Sequence, residues 1–410
     1  MTEKNKKTSE ERAKAAVDKK AVYGADIDLA SYKDEVAEHE QVKNLTDFSA
    51  PQQTTMKAIG LDLAGQGRAG TYVQTDHSVT SCSVSSSGVE VMGIDAALAC
   101  HDWLKDYMWT AVNPDADKYT ARVVLHYEHG YFIRALPGAK VDYPVQACLY
   151  IGENDVVQDV HNVIIVEEGA ELHVITGCAV DPNVKRGVHI GVSEFFVKKG
   201  GKLTFSMIHN WGEEVVVRPR TGVIVEEGGL YMSNYICLKK VHDIQMYPAT
   251  RLVGEGAVAR MNTILVAPPG AKLDVGGKVL LEAPGTKAEI IARTLSTGGT
   301  IVNRGLLGGY KAGVKGHLEC HGLILGEQGV IYAIPELDAQ VGDAELSHEA
   351  AVGKIAPEEI EYLMGRGLTE EEAAATIVRG FLNIKIEGLP ESLSNEIERT
   401  LGEFDIHASY

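Results

Sequence analysis

Between residues 150 and 337 the chain repeats one turn. Short Val/Ile/Leu runs end in the same Gly-centred corner: Val166-Glu167-Glu168-Gly169-Ala170, Val197-Lys198-Lys199-Gly200-Gly201, Val225-Glu226-Glu227-Gly228-Gly229, Gly254-Glu255-Gly256-Ala257 and Pro268-Pro269-Gly270-Ala271. Further glycines follow at Gly285, Gly299, Gly313 and Gly329. From Gly169 onward the steps are 31, 28, 28, 14, 15, 14, 14 and 16 residues, a unit of about 14 that is sometimes doubled. Short strands at a fixed period mark a stacked solenoid, in which no rung buries its apolar face alone. The glycines supply corners at positive φ, which a Cβ opposes. A sandwich would space its strands by about 8–12 residues without a repeated corner. The prediction is a mainly β chain with a β-helix core over 151–346.

A solenoid ends in open strand edges that must be capped or paired. The rungs through Leu318-Glu319-Cys320-His321-Gly322-Leu323-Ile324-Leu325 and Gly329-Val330-Ile331-Tyr332-Ala333-Ile334 lead into helix with no polar strand cap between. That end invites strand addition by a second copy.

The flanks read differently. Residues 1–50 form an N-terminal helical arm, charged over 1–20 and helix-like over 28–50. Residues 51–150 are mixed α/β: a strand at 70–76, a Ser-rich loop or edge strand at 80–87, and a helix over 96–109 with Leu98, Trp103, Leu104 and Met108 inward. Cys100 falls in that helix and reads as a small buried residue. Residues 347–410 are a small helical domain. Pro357 opens its first helix, Gly365 and Gly367 stop it, and Thr369-Glu370-Glu371-Glu372 caps the next. Ala374, Ile377, Val378, Phe381 and Leu382 make an apolar stripe, and a third helix is expected at 392–401.

Composition excludes several classes. The net charge of −18 repels phosphate backbones and anionic membranes, so neither nucleic acid nor membrane is an expected partner. No run reaches membrane-spanning length and no secretory signal opens the chain, which places it in the cytoplasm. Six cysteines, none spaced C-x-x-C, exclude zinc ribbons and ferredoxin-type clusters and are too sparse for a disulfide framework. No Walker motif is present, so ATP hydrolysis would need another subunit.

Chemistry concentrates where strand gives way to helix. Cys320 shares an alternating face with Leu318, Gly322 and Ile324, so a core role and a ligand role both stand. His348-Glu349 follow 28 and 29 residues later, beside the expected helix start. Thiol, imidazole and carboxylate together suit a transition-metal or iron–sulfur site. Asp343 and Glu345 are secondary oxygen donors.

The stretch from about 150 to 401 resembles the SufB/SufD family of iron–sulfur cluster assembly scaffolds. The resemblance is carried by Ser347-His348-Glu349-Ala350-Ala351-Val352-Gly353-Lys354-Ile355, by Glu359-Ile360-Glu361-Tyr362-Leu363-Met364-Gly365-Arg366-Gly367-Leu368-Thr369-Glu370-Glu371-Glu372-Ala373, and by Ile377-Val378-Arg379-Gly380-Phe381. It covers about 60% of the chain; the first 150 residues match loosely. It implies a right-handed β-helix, dimerisation through the terminal rungs, and a C-terminal helical domain docking a SufC-like ABC ATPase, here through Tyr362, Leu363, Arg366 and Phe381. It implies a scaffold, with ATPase activity only in the partner, that receives sulfur from a donor and builds a transient iron–sulfur cluster near the dimer interface.

By position, Cys320 matches the assembly thiol of SufB, Glu349 its partnering carboxylate and His348 the histidine common to both relatives. Leu346 stands where SufD carries a cysteine, so the motif is SufB-like. Cys178 matches a SufB cysteine implicated in accepting sulfur, and His209-Asn210-Trp211 resembles a run lining the SufB interior. The chain is short for SufB, and the basic and amide residues expected one rung before Cys178 are not recognisable around Tyr150 and Gly152. Cys178 therefore stays open between core residue and sulfur acceptor. Thiol and His-Glu pair lie on one chain, so a homodimer is the economical assembly; a SufB/SufD paralogue is the other. Some relatives bind flavin, and no motif here decides that. The competing readings are a purely structural cytoplasmic solenoid, or a β-helix enzyme acting on polysaccharide, which would be secreted and line an outer groove with acids.

Overall fold

The computed structural model describes residues 8–382 apart from 66, 127 and 128. The repeated strands stack in parallel and in register. Lys202 pairs with Leu230, Leu230 with Val258 and Val258 with Lys287, so a full turn of the coil takes 28 or 29 residues here. The 14-residue step is thus half a turn: one strand and one corner, alternating between a ten-stranded and an eleven-stranded sheet. The result is a β-solenoid of about eight turns, mainly β as predicted.

The inner faces of the two sheets make the main core, with Val174, Leu203, Leu265, Leu273, Leu281, Leu307 and Leu318 facing one another. Parallel strands buried on both faces read as near-continuous apolar runs, which is the texture of 156–166 and 186–197. The predicted corners at Gly169, Gly200, Gly228, Gly256, Gly270, Gly285 and Gly313 all have φ between +61° and +85°. At Gly228 nothing lies within 4 Å of an added Cβ, so the backbone angle, not lack of room, selects glycine. Gly299 and Gly329 depart from the expectation: the positive φ falls on Gly298 and Gly326 instead.

Each end differs from the middle. At the N-terminal end Gly70–Thr75 joins the ten-stranded sheet, and Ser78–Val84 closes it as an antiparallel edge strand. At the other end the final rung is Val330–Ala339 in one sheet and Glu345–Gly353 in the other. His348 and Glu349 therefore stand on a strand, not beside a helix start. Backbone pairing with Lys315–Ile324 extends the ladder through this stretch. Among the described residues no strand pairs with the outer edge of that rung. Pro335 sits within Val330–Ala339, a position that an edge strand tolerates.

Six helices flank the solenoid among the described residues: α1 (Ser9–Lys14), α2 (Ala50–Ala58), α3 (Ile94–Cys100), α4 (Lys118–His126), α5 (Pro357–Met364) and α6 (Glu370–Leu382). None is long and apolar enough to cross a membrane. α2, α5 and α6 cover the outer face of the ten-stranded sheet, where Met56, Ile59, Ala374 and Val378 meet Ile208, Ile264, Leu295 and Leu323. α2 sits so close that a Cβ on Gly177 would come within 2.4 Å of Ile59. The capping box of α6 is formed: the Glu372 amide donates to Thr369 Oγ1 at 3.2 Å and the Thr369 amide to Glu372 Oε2 at 2.8 Å. The helix expected at 392–401 lies outside the described residues.

Two expectations for the flanks fail. The helix over 96–109 breaks at His101 into α3 and a 3₁₀ turn, Asp102–Asp106, which leaves Cys100 at the surface rather than buried. Residues 28–50 are not a helix. They form an extended strap with two 3₁₀ turns, Leu29–Ser31 and Leu45–Asp47. Backbone bonds to the solenoid override helix propensity there: Lys33 N donates to Asp155 O at 2.6 Å, and Val157 N to Lys33 O at 3.0 Å.

A buried carboxylate pins the 109–112 loop to the eleven-stranded sheet. Glu194 accepts from the amides of Trp109 (2.6 Å), Ala111 (2.7 Å) and Val112 (3.0 Å), and lies 2.9 Å from His161 Nε2. Trp109 is held at φ +61°, which for a large side chain persists only under such over-determination. Glu194→Ala leaves three amide donors without an acceptor, two of them buried. It is expected to lower unfolding stability by about 3 kcal/mol, read from the urea midpoint; a loss below about 1 kcal/mol would show that water replaces the carboxylate.

Candidate functional site

Alternation along a strand sorts the predicted site residues between the two faces of one sheet. On Lys315–Ile324, Leu318 and Cys320 face the solenoid interior, and His317, Glu319 and His321 face out. In-register pairing carries this to the final rung: Leu318 lies opposite His348, Glu319 opposite Glu349 and Cys320 opposite Ala350.

Cys320 is 1% exposed, within the main core and one rung from the open end. His348 shares its inner face but is exposed, because no further rung of the described residues covers it. Strand spacing and rise put their backbones about 8 Å apart on the diagonal. Burial pushes the Cys320 thiol up to about 11; the neighbouring Glu319 charge adds to this, and the Asn303 amide opposes it by hydrogen bonding. Asn303 is itself buried on the facing sheet, paired with Ala333 of the final rung. The interior around the thiol is therefore not purely hydrocarbon.

Glu349 is not beside Cys320 in one chain. It points outward, its Oε1 3.3 Å from His321 Nε2. The physical reason is the parity of a strand where the sequence alone places the start of a helix. Asp343 and Glu345 are engaged elsewhere: Asp343 Oδ2 accepts from the Gly313 amide at 3.0 Å, and Glu345 pairs with Lys315 at 2.8 Å. Among the described residues no three His, Cys, Asp or Glu side chains are arranged to hold a metal ion. The arrangement offers a soft sulfur ligand inside the sheet's last covered rung and nitrogen and oxygen ligands at its rim and outer face.

Deeper in the solenoid, Cys178 and His209 do come together. His209 lies in register between Cys178 and Cys237, so the three stack on successive rungs, all buried. Its Nδ1 is 2.9 Å from the Tyr235 hydroxyl and its ring 5.3 Å from Trp211. The His189 ring also lies near Trp211, at 5.1 Å, with Nδ1 2.9 Å from Gln158 Oε1. Burial pushes His189 down to about 3 and His209 far below its ordinary value, so both imidazoles are neutral. The same burial holds the Cys178 thiol well above its usual range and Cys237 up to about 12. Sequence reasoning passes over Cys237, His189 and His321. The signal for Cys237 is its place one turn after His209, which the repeat period predicts.

The residues expected to dock a partner divide. Tyr362 and Arg366 are exposed, with Arg366 Nη2 donating to the Tyr362 hydroxyl at 2.9 Å. Leu363 and Phe381 turn inward and pack against the apolar layer beneath α5 and α6.

Residues 149–381 match the family profile described as SUF system FeS cluster assembly, SufBD core domain. The chain is 48% identical over 396 residues to an iron–sulfur cluster assembly SufBD family protein of Methanothermobacter thermautotrophicus, covering 95% of this chain and 97% of that one. It is 50% identical over 346 residues to a SufBD family protein of Archaeoglobus fulgidus, covering 84% and 93%. To the iron–sulfur cluster assembly protein SufB of Bacillus subtilis it is 31% identical over 332 residues, covering 80% and 70%.

The thiol's environment has a measurable consequence. With Cys320 at about 11, its thiolate fraction at pH 8 is about a hundredfold below that of a group at its ordinary value of 9.0. Alkylation of Cys320 in the folded protein is expected to be much slower than that of the exposed Cys100, and to rise about tenfold per pH unit toward pH 11. Mass spectrometry of peptides labelled with iodoacetamide reads both rates; equal rates at pH 8 would contradict the buried placement.

Proposed function

This chain belongs to the SufBD family of iron–sulfur cluster assembly proteins, and from that premise we propose that it is the scaffold of a SUF-type complex, building a transient cluster at an interface between two copies. It is not itself the energy source: a SufC-like ABC ATPase docks on the C-terminal helices, with Tyr362 and Arg366 offering the exposed contact and Leu363 and Phe381 holding α5 and α6 to the sheet. Iron and sulfur are its substrates, and the assembled cluster its product.

The observation that carries this reading is the final rung. Among the described residues both of its strands have unpaired outer edges, with Val330, Tyr332, Leu337 and Val352 exposed beside them. A second copy that adds its own terminal strands covers those side chains. The same pairing brings two His348 and two Glu349 to one seam, one rung from two Cys320 thiols. A thiolate supplies the soft ligand an iron–sulfur cluster needs, and imidazole and carboxylate bind iron loosely enough to let the product leave. Within one chain Cys320 and Glu349 occupy opposite faces, and edge pairing keeps those faces, so the seam sets the inward His348 of each copy near the thiols and Glu349 on the outside.

Cys178, with His209 and Cys237 stacked beyond it, supplies a buried route by which sulfur from a donor enters the interior. The six free thiols suit a reducing cytoplasm, where we place the protein.

Anaerobic reconstitution with Fe(II) and sulfide tests the site. Wild type is expected to take up iron and sulfide with visible sulfur-to-iron charge-transfer absorbance, and Cys320→Ala to lose most of both. Equal loading in the two would sink the assignment. Light scattering on the same sample checks the assembly, with a mass of two chains expected and a lone chain arguing against the seam.

A further inference from the structure

The partner of the Cys320 thiol comes from the other sheet. Inner positions of Lys315–Ile324 and Thr300–Gly309 face each other across the solenoid and run in opposite directions. A Cβ on Gly305 would collide with the Leu318 side chain, and one on Gly316 would come within 2.9 Å of Leu307. Each two-residue step along one strand is thus met by a two-residue step back along the other. One step beyond Leu318 and Gly305, the same rule sets Cys320 opposite Asn303. There the two side chains hydrogen bond.

Packing alone does not call for an amide at this place. Asn303 is 3% exposed, and its column runs from Val275 through Asn303 to Ala333. Ile301 and Leu307 share its inner face. A leucine there would bury apolar surface without the desolvation cost of a carboxamide. Cys320 supplies the partner that offsets this cost. The layer over the pair is thin on one side. Toward the open end Cys320 is followed by Ala350 and Asn303 by Ala333, so only methyl side chains continue the two columns to the seam.

We infer that Asn303 is a positioning residue of the cluster site, acting through the Cys320 sulfur from the facing sheet. This deepens the scaffold reading and rests on it. A carboxamide carries an acceptor oxygen and two N–H donors, which suits a sulfur that changes its protonation state. In the thiol form, S–H donates to Asn303 Oδ1. When iron binds, the Fe–S bond forms as the S–H bond breaks, the proton leaves to water, and no electron moves. The amide then turns Nδ2–H toward the thiolate. An N–H···S bond draws charge off the sulfur. It steadies the ligand during loading and raises the reduction potential of the cluster. Two copies at the seam bring two such pairs, so each thiol arrives with its own donor.

Two readouts separate this role from packing. The first needs no iron: Raman spectra of the full chain in the S–H stretching region, with Cys320→Ala assigning the Cys320 band. Asn303→Leu, of similar size and without polar atoms in its side chain, is expected to move that band to the frequency of an unbonded thiol. The second is anaerobic reconstitution with Fe(II) and sulfide. Asn303→Leu is expected to load, to lose iron to a chelator about tenfold faster than wild type, and to absorb at longer wavelength in the sulfur-to-iron bands. Asn303→Ala repeats both readouts if circular dichroism shows that the leucine variant melts early. A loaded wild type, with the same S–H band, release rate and spectrum in Asn303→Leu, overturns this role alone. A wild type that takes up no cluster overturns the scaffold reading, and the role with it.

Discussion

Everything in this molecule follows from the in-register parallel ladder. Once one strand is placed, each residue has a neighbour about 4.8 Å away on the next rung with its side chain on the same face. Side chains therefore form columns that run the length of the rod. A column of Val, Leu and Ile makes the core. A column that holds Cys178, His209 and Cys237 makes a polar seam through that core. A column of Glu319 and Glu349 makes an acidic stripe outside. The chemistry of the protein is decided by which column a residue enters.

The same rule sets what can and cannot be read from the sequence. The corner glycines and their spacing expose the solenoid, because positive φ at regular intervals suits a stacked coil and little else. The two-sheet cross-section is hidden, because a half-turn and a full turn leave the same glycine mark. Cys320 is legible as an inward residue from the apolar positions around it. Glu349 is misplaced by the sequence because alternation is weak in Glu345–Gly353: Leu346, Ala350 and Val352 share the inward parity, but so does the polar His348, which on the last rung meets solvent. Cys237 and His321 escape notice for a related reason. Their partners lie a full turn away or on the neighbouring strand, and only the register reveals them.

The helical additions obey packing rather than propensity. The C-terminal pair is readable because caps and stripe agree, and the structure places it on the sheet with Ala373, Ala374 and Val378 buried. The strap over 28–50 is unreadable, because its backbone bonds go to the solenoid and not to itself. α2 docks where it does because Gly177 lacks the one Cβ that would hold Ile59 away from the sheet.

The N-terminal strap carries a mechanical meaning of its own. Tyr23 packs on Arg304 and Tyr247, Ala25 O accepts from Arg218, Tyr32 stacks under Arg186, and Lys33 bonds Asp155. These contacts are strung across several successive coils of one wall. A plain stack of coils contacts only nearest neighbours and can come apart one layer at a time. A cord tied at several levels makes distant layers share their fate, so the rod resists peeling from its open end.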